Sequence, residues 1–204
     1  MNLQEVLNHK SMNELVSNFQ NQDWSNKKAY ANWLAQSYYY TSYSTRMLAF
    51  AAGWSDKSEK SFYKRSIKHI SEEQGHDIVA LNDLKNLGEN IDSYSELGVT
   101  RAMWESQFYK IQKDPAFLLG YILGLEAFAV RTLREFYSVL HEHYPENSLL
   151  FVKVHADDDP DHVEEALKQI EACTADQQKE IFISYQHTIE LYNSMVQQIF
   201  SQKN

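Results

Sequence analysis

The chain carries almost nothing that would stop a helix: six glycines and three prolines are spread over 204 residues. Between them lie long stretches rich in Leu, Ala, Glu, Gln and Lys, the residues that lose least on entering a helix. No stretch shows strict apolar/polar alternation bounded by hairpin turns, so a sheet is not expected. The expected fold is an all-α, single-domain bundle of about seven helices over residues 1–204, a length that suits one sizeable core. Residues 11–20 read as a short amphipathic helix, and 27–52 as a long one ending at Gly53. Ser58 caps the next, which runs to about Leu87 and stops at Gly88. A loop over 89–100 precedes a helix at 101–112. Asp114-Pro115, an acid at the cap and a proline in the first turn, opens a helix to about His143. Two more cover 147–172 and 174–202.

The formal net charge of −9 disfavours general nucleic-acid binding, which needs cations to neutralise phosphates. No window holds 18 consecutive apolar residues, so no membrane span is expected. The first residues lack the basic-then-apolar order of a signal peptide. One cysteine, Cys173, cannot form an internal disulfide, and a cytoplasmic setting is the expectation.

The chemistry concentrates in three segments. In His155-Ala-Asp-Asp-Asp159-Pro-Asp-His162, positions i, i+4 and i+7 fall within about 60° of one another on a helix. Two imidazoles and a carboxylate on one stripe make half a site for a borderline metal; the bland reading is a solvated acidic stretch. Pro160 and the surrounding aspartates predict a kink or partial unwinding there. In His69-Ile-Ser-Glu72-Glu73-Gln-Gly75-His76, Glu73 and His76 form the Glu-x-x-His pair that di-iron bundles turn into their cores. His69 lies on the same stripe. Gly75 within a helix suggests close packing against the backbone. The bland reading is a surface charge cluster. Finally, Glu126 is the one charge in an apolar run from Ala116 to Val130. A glutamate buried there must be paired, protonated or metal-bound, and a salt bridge to Arg46 or Arg131 is the bland reading.

Taken together, three helices offer three histidines and three carboxylates: Glu73, His76, Glu126, His155, Asp159 and His162. Glu72 and His69 are alternative ligands. Mixed N/O ligation suits iron, manganese or zinc better than calcium or magnesium. Only one Glu-x-x-His is present, where a ferritin-like bundle would carry two. A substrate pocket is expected at Tyr39, Tyr43 and Arg46, which share a face by i, i+4, i+7 spacing, with Tyr121 also facing the cavity.

These segments resemble the haem-oxygenase-like di-iron oxidase and oxygenase superfamily, whose fold is shared with haem oxygenase, the TenA thiaminases and the pyrroloquinoline-quinone synthase PqqC. His155, Asp159 and His162 match its His-x3-Asp-x2-His pattern. Glu73, Gly75 and His76 match an earlier helix, and Glu126 the lone glutamate between them. The resemblance implies a non-haem oxidoreductase that uses Fe(II), as two ions, and O₂ to oxidise a small amino-acid- or fatty-acid-like molecule. Haem oxygenases need a histidine on the first long helix; residues 27–52 contain none, so no haem is expected. The alternative is a metal-free TenA- or PqqC-like enzyme or a small-molecule-binding helical protein. Expected partners are the small-molecule substrate and O₂, with no nucleic acid and no membrane. The oligomeric state stays open, a homodimer included.

Overall fold

The computed structural model describes residues 3–201, apart from the side chains of residues 3, 4 and 158–161. The described residues form helices and turns with no strand. In order, these are α1 (Leu3–Leu7), α2 (Lys10–Gln20), α3 (Lys27–Thr41), α4 (Ser44–Trp54), α5 (Lys60–Glu73), α6 (His76–Asn86), α7 (Gly98–Lys113), α8 (Leu118–His141), α9 (Leu150–Glu171) and α10 (Ala175–Ser201). If α3 with α4 and α5 with α6 are each taken as one broken rod, the seven expected helices are all present. The short α1 is additional.

The breaks have local causes. At the end of α3, the hydroxyls of Thr41 and Ser42 donate to the carbonyls of Ser37 and Tyr38, at 2.7 and 2.6 Å. Such back-bonding competes with the helix ladder and bends it. Between α5 and α6, Gly75 takes φ +95°, a conformation that costs a side chain about 1–2 kcal/mol. No atom lies within 4 Å of where its Cβ would stand, so conformation and not close approach requires glycine there.

α8 is the axis of the bundle. Asp114 opens it as expected, accepting from the Ala116 N–H at 2.9 Å, with Pro115 in the first turn. The stretch Pro115–His141 is long and apolar enough to cross a membrane, at mean hydropathy 1.5, but 72% of its apolar window is buried inside the bundle. α9 and α10 pack along it. Gly120 lets α10 approach, since a Cβ there would stand 2.2 Å from the Ile181 carbonyl oxygen. Aromatic edges fill the core on the α2–α3 side, with Phe19 meeting Trp24, Phe128 and Phe136 at centroid separations of 4.6–5.0 Å.

α9 is started from outside itself. The Asp83 carboxylate on α6 accepts from the Phe151 N–H at 2.7 Å, satisfying a donor that a helix N-terminus leaves open. From there α9 stays helical through Pro160 to Glu171, without the partial unwinding predicted from its sequence. Proline removes one hydrogen bond of that ladder, and α9 is held along its length against α8 and α6.

Candidate metal centre

Three rods bring the chemistry together. α5 supplies His69, Glu72 and Glu73, and α6 supplies His76. α8 supplies Glu126, and α9 supplies His155 and His162. The side chain of Asp159 lies outside the described residues.

His69 is the hub. Its Nε2 lies 3.4 Å from Glu73 Oε1 and 3.2 Å from Glu126 Oε1. His162 reaches the same Glu126 oxygen with Nδ1, at 3.5 Å. One ligand atom each from His69, Glu73 and His162 falls within 4.8 Å of the others. The other Glu73 oxygen faces His76 Nδ1 at 3.6 Å. His155 stands against the His76 ring at 4.7 Å between centroids, as His162 stands against His69 at 5.1 Å. His155 Nδ1 lies 2.8 Å from the Phe151 carbonyl oxygen. That contact places the proton on Nδ1 and the lone pair on Nε2, the arrangement that orients a metal-binding imidazole.

Burial sets the electrostatics. His69 and Glu126 are 4% and 6% exposed. Burial works to lower the His69 pKa, but the carboxylates of Glu126 and Glu73 outweigh it and raise it to about 9. Burial works to raise that of Glu73; the facing imidazoles of His69 and His76 hold it well below the usual carboxylate range. For Glu126 burial wins over His69 and His162, and its carboxyl sits above the usual value. Neither Glu126 oxygen makes an aligned hydrogen bond, and neither does His69 Nε2. Buried polar atoms are seldom left so, because the desolvation is uncompensated. A divalent ion among these atoms would compensate it, and a mixed imidazole–carboxylate donor set fits iron, manganese or zinc.

The structure redistributes several expected roles. His69, an alternative in the sequence, takes the central place. Glu72 turns outward to Arg65 Nη1 at 2.8 Å and Lys68 Nζ at 3.1 Å, keeping only a 3.6 Å approach to His162 Nε2. Neither arginine pairs with Glu126: Arg46 is exposed, and Arg131 donates to the Leu7 carbonyl and Asn13 Oδ1.

A cavity of about 700 Å³, its mouth included, adjoins the cage; His69, Glu73, Glu126 and His155 form one wall. Tyr121 lines it. Tyr39, Tyr43 and Arg46 are not among its lining residues, and the cause is clear. The break after Thr41 separates Tyr39 from the other two, so the i, i+4, i+7 stripe never forms. Tyr39 instead donates to the Tyr94 carbonyl at 2.7 Å, and Tyr43 stacks on Trp104 at 3.5 Å. The sequence did not single out the apolar wall, which includes Met47, Leu118, Ile122 and Leu125. Nothing in their spacing separates cavity wall from ordinary core.

No family profile matches the sequence, and neither does any curated protein. Solved structures do match. A domain of unknown function with a haem oxygenase-like fold from Shewanella denitrificans OS217 aligns with TM-score 0.82 at 20% identity, over 99% of this chain and 93% of that one. A TenA homologue from Pseudomonas syringae pv. tomato DC3000 gives 0.74 at 13% identity, over 97% and 87%. A CADD-like protein of unknown function from Nostoc punctiforme PCC 73102 gives 0.70 at 14%, over 98% and 96%. With these alignments running nearly end to end, the chain has the haem-oxygenase-like fold, in common with TenA-like and CADD-like proteins.

Proposed function

We propose that the chain is an O₂-dependent non-haem iron oxidase or oxygenase acting on a small, largely apolar organic molecule. The observation that carries this reading is the buried convergence of His69, Glu73 and His162 around Glu126, whose two oxygens have no aligned hydrogen bond. His69, Glu73, Glu126 and His162 would hold one Fe(II), and Glu73, His76 and His155 a second. Asp159 is proposed as a further ligand from its place in the His155–His162 pattern. The two Glu73 oxygens face different histidines, which suits a carboxylate shared between two ions.

Bound iron would supply the redox chemistry with O₂. The protein's own contributions follow from its geometry. The mostly apolar cavity would position the substrate beside the cage. His155 is oriented by the Phe151 carbonyl, and Arg65 and Lys68 hold Glu72 at the outer edge. The cavity wall suits a hydrocarbon chain better than an amino-acid zwitterion, since burying two charges there is costly. A metal-free TenA-like route, which the resemblance would rest on a catalytic cysteine in the pocket, is not favoured: Cys173 donates to the Gln169 carbonyl and lies outside the cavity lining.

The test is metal analysis of protein expressed with iron, followed by anaerobic Fe(II) titration and O₂ uptake. Up to two irons per chain and Fe(II)-dependent O₂ consumption are expected. Protein that neither takes up iron above background nor consumes O₂ with it would refute the reading.

A further inference from the structure

Most lining hydroxyls of the cavity are already engaged. Tyr192 Oη accepts from Trp33 Nε1 at 2.9 Å, and Thr41 Oγ1 donates to the Ser37 carbonyl at 2.7 Å. Tyr40 Oη lies 3.4 Å from Ser37 Oγ. Tyr121 differs. It is 3% exposed, and its hydroxyl is buried with no hydrogen-bond partner among the described residues. A buried donor without a partner is costly. Tyr121 and Glu126 both line this cavity from α8, about 140° apart around the helix.

The charged groups of the cavity wall all belong to the cage. Its lining includes Glu73 and Glu126 and neither lysine nor arginine. Arg46, the cation expected there, is exposed to solvent. Away from the cage, a ligand carboxylate would thus find no basic side chain to pair with. Burying such a charge unpaired costs far more than burying a neutral group that accepts one hydrogen bond.

We propose that the cavity binds a neutral, mostly apolar molecule bearing a hydrogen-bond acceptor, such as a carbonyl, and that Tyr121 Oη donates to that acceptor. This rests on the reading that the cavity beside the cage is the substrate's. Tyr121 is then the residue that sets ligand class and orientation. Burial raises the tyrosine pKa well above its ordinary value, which keeps the donor proton in place.

Isothermal titration of the full chain, stripped of metal, with octan-2-one and with octanoate tests the proposal. The ketone is expected to bind more tightly than the carboxylate. Tyr121→Phe should weaken ketone binding about tenfold, the value of one good hydrogen bond. Its melting temperature should equal or exceed that of the unmodified chain, showing that the variant is folded. Octanoate binding as tightly as the ketone, or ketone affinity indifferent to Tyr121→Phe, overturns the proposal. A parallel Zn(II) titration of both proteins separates the two readings. Absence of metal binding would count against the metal centre alone, whereas metal binding with ketone affinity unchanged by Tyr121→Phe would count against the Tyr121 anchor alone.

Discussion

Glu126→Leu separates a metal ligand from a structural ion pair. Removing one partner of a buried pair commonly costs about 3–5 kcal/mol, because the other charge is stranded. Here neither imidazole is stranded. His69 keeps Glu73 at 3.4 Å, and His162 keeps Glu72 at 3.6 Å. Burial also holds the Glu126 carboxyl above its ordinary pKa, so its charge is a burden on the metal-free fold. Leucine fills similar volume without that charge. The expected change in metal-free stability is therefore within about 2 kcal/mol of zero, or a melting shift of no more than about 8 °C for a chain of this size. Metal binding should respond very differently. A ligand at 100 times its dissociation constant stabilises by about 2.7 kcal/mol, a rise of about 5–11 °C in the unmodified chain. Thermal melts with and without Zn(II), repeated anaerobically with Fe(II), read both quantities. The rise should vanish in Glu126→Leu, with Glu126→Gln as the isosteric control. A variant that keeps the full metal-dependent rise, or that is unfolded without metal, refutes the assignment.

Gly120→Ala should destabilise by about 1–3 kcal/mol in urea melts, since its Cβ meets the Ile181 carbonyl oxygen at 2.2 Å. Gly124→Ala should be close to neutral, because its Cβ would crowd the Thr188 side chain at 3.2 Å and touch the Tyr185 carbonyl oxygen at an ordinary 3.6 Å, against a gain of about 1 kcal/mol of helix propensity. Gly75→Ala should cost about 1–2 kcal/mol through its positive φ alone and weaken Zn(II) affinity by shifting His76 against Glu73. Burial lowers the Lys110 pKa to about 8, its ammonium donating to Ser184 Oγ. Between about pH 8 and its unfolded value near 10.4, the unfolded chain binds more protons, so stability contributed at this site rises with pH. Lys110→Met should flatten that part of the stability–pH curve; an unchanged slope would contradict it.

Much of the fold was legible because helix punctuation is local. Asp114-Pro115 and Gly88 each act within a few residues, and each starts or ends a helix where expected. What escaped were breaks made by groups that also sit comfortably inside helices. Thr41 and Ser42 carry no breaker signature; only their hydroxyl contacts to Ser37 and Tyr38 reveal the bend. Gly75 was visible, but glycine within a helix and glycine at positive φ look alike in a sequence. The site followed the same rule. His155 and His162 were legible from spacing on an unbroken helix, and Glu126 from its isolation in an apolar run. His69 against Glu72 was not, because the choice depends on which way α5 is rotated, and Arg65 and Lys68 draw Glu72 outward.

The absence of a second Glu-x-x-His also has a geometric explanation. His69 and His76 are seven residues apart, and so are His155 and His162. On the unbroken α9, seven residues make nearly two helical turns and about 10 Å of rise, while His69 and His76 stand on either side of the α5–α6 break. The α5–α6 rod and α9 pair these histidines in antiparallel order, His69 with His162 and His76 with His155. The result is two rungs, each made by an imidazole from either side. One carboxylate then suffices to connect them: Glu73, the last residue of α5, sends one oxygen to His69 and the other across the Gly75 break to His76. Glu126 enters from α8 at the first rung only. A ferritin-like bundle repeats a ligand motif on two helices to build two halves; in the proposed centre the heptad spacing of histidines on neighbouring rods would do so, with the break at Gly75 letting a single glutamate face both.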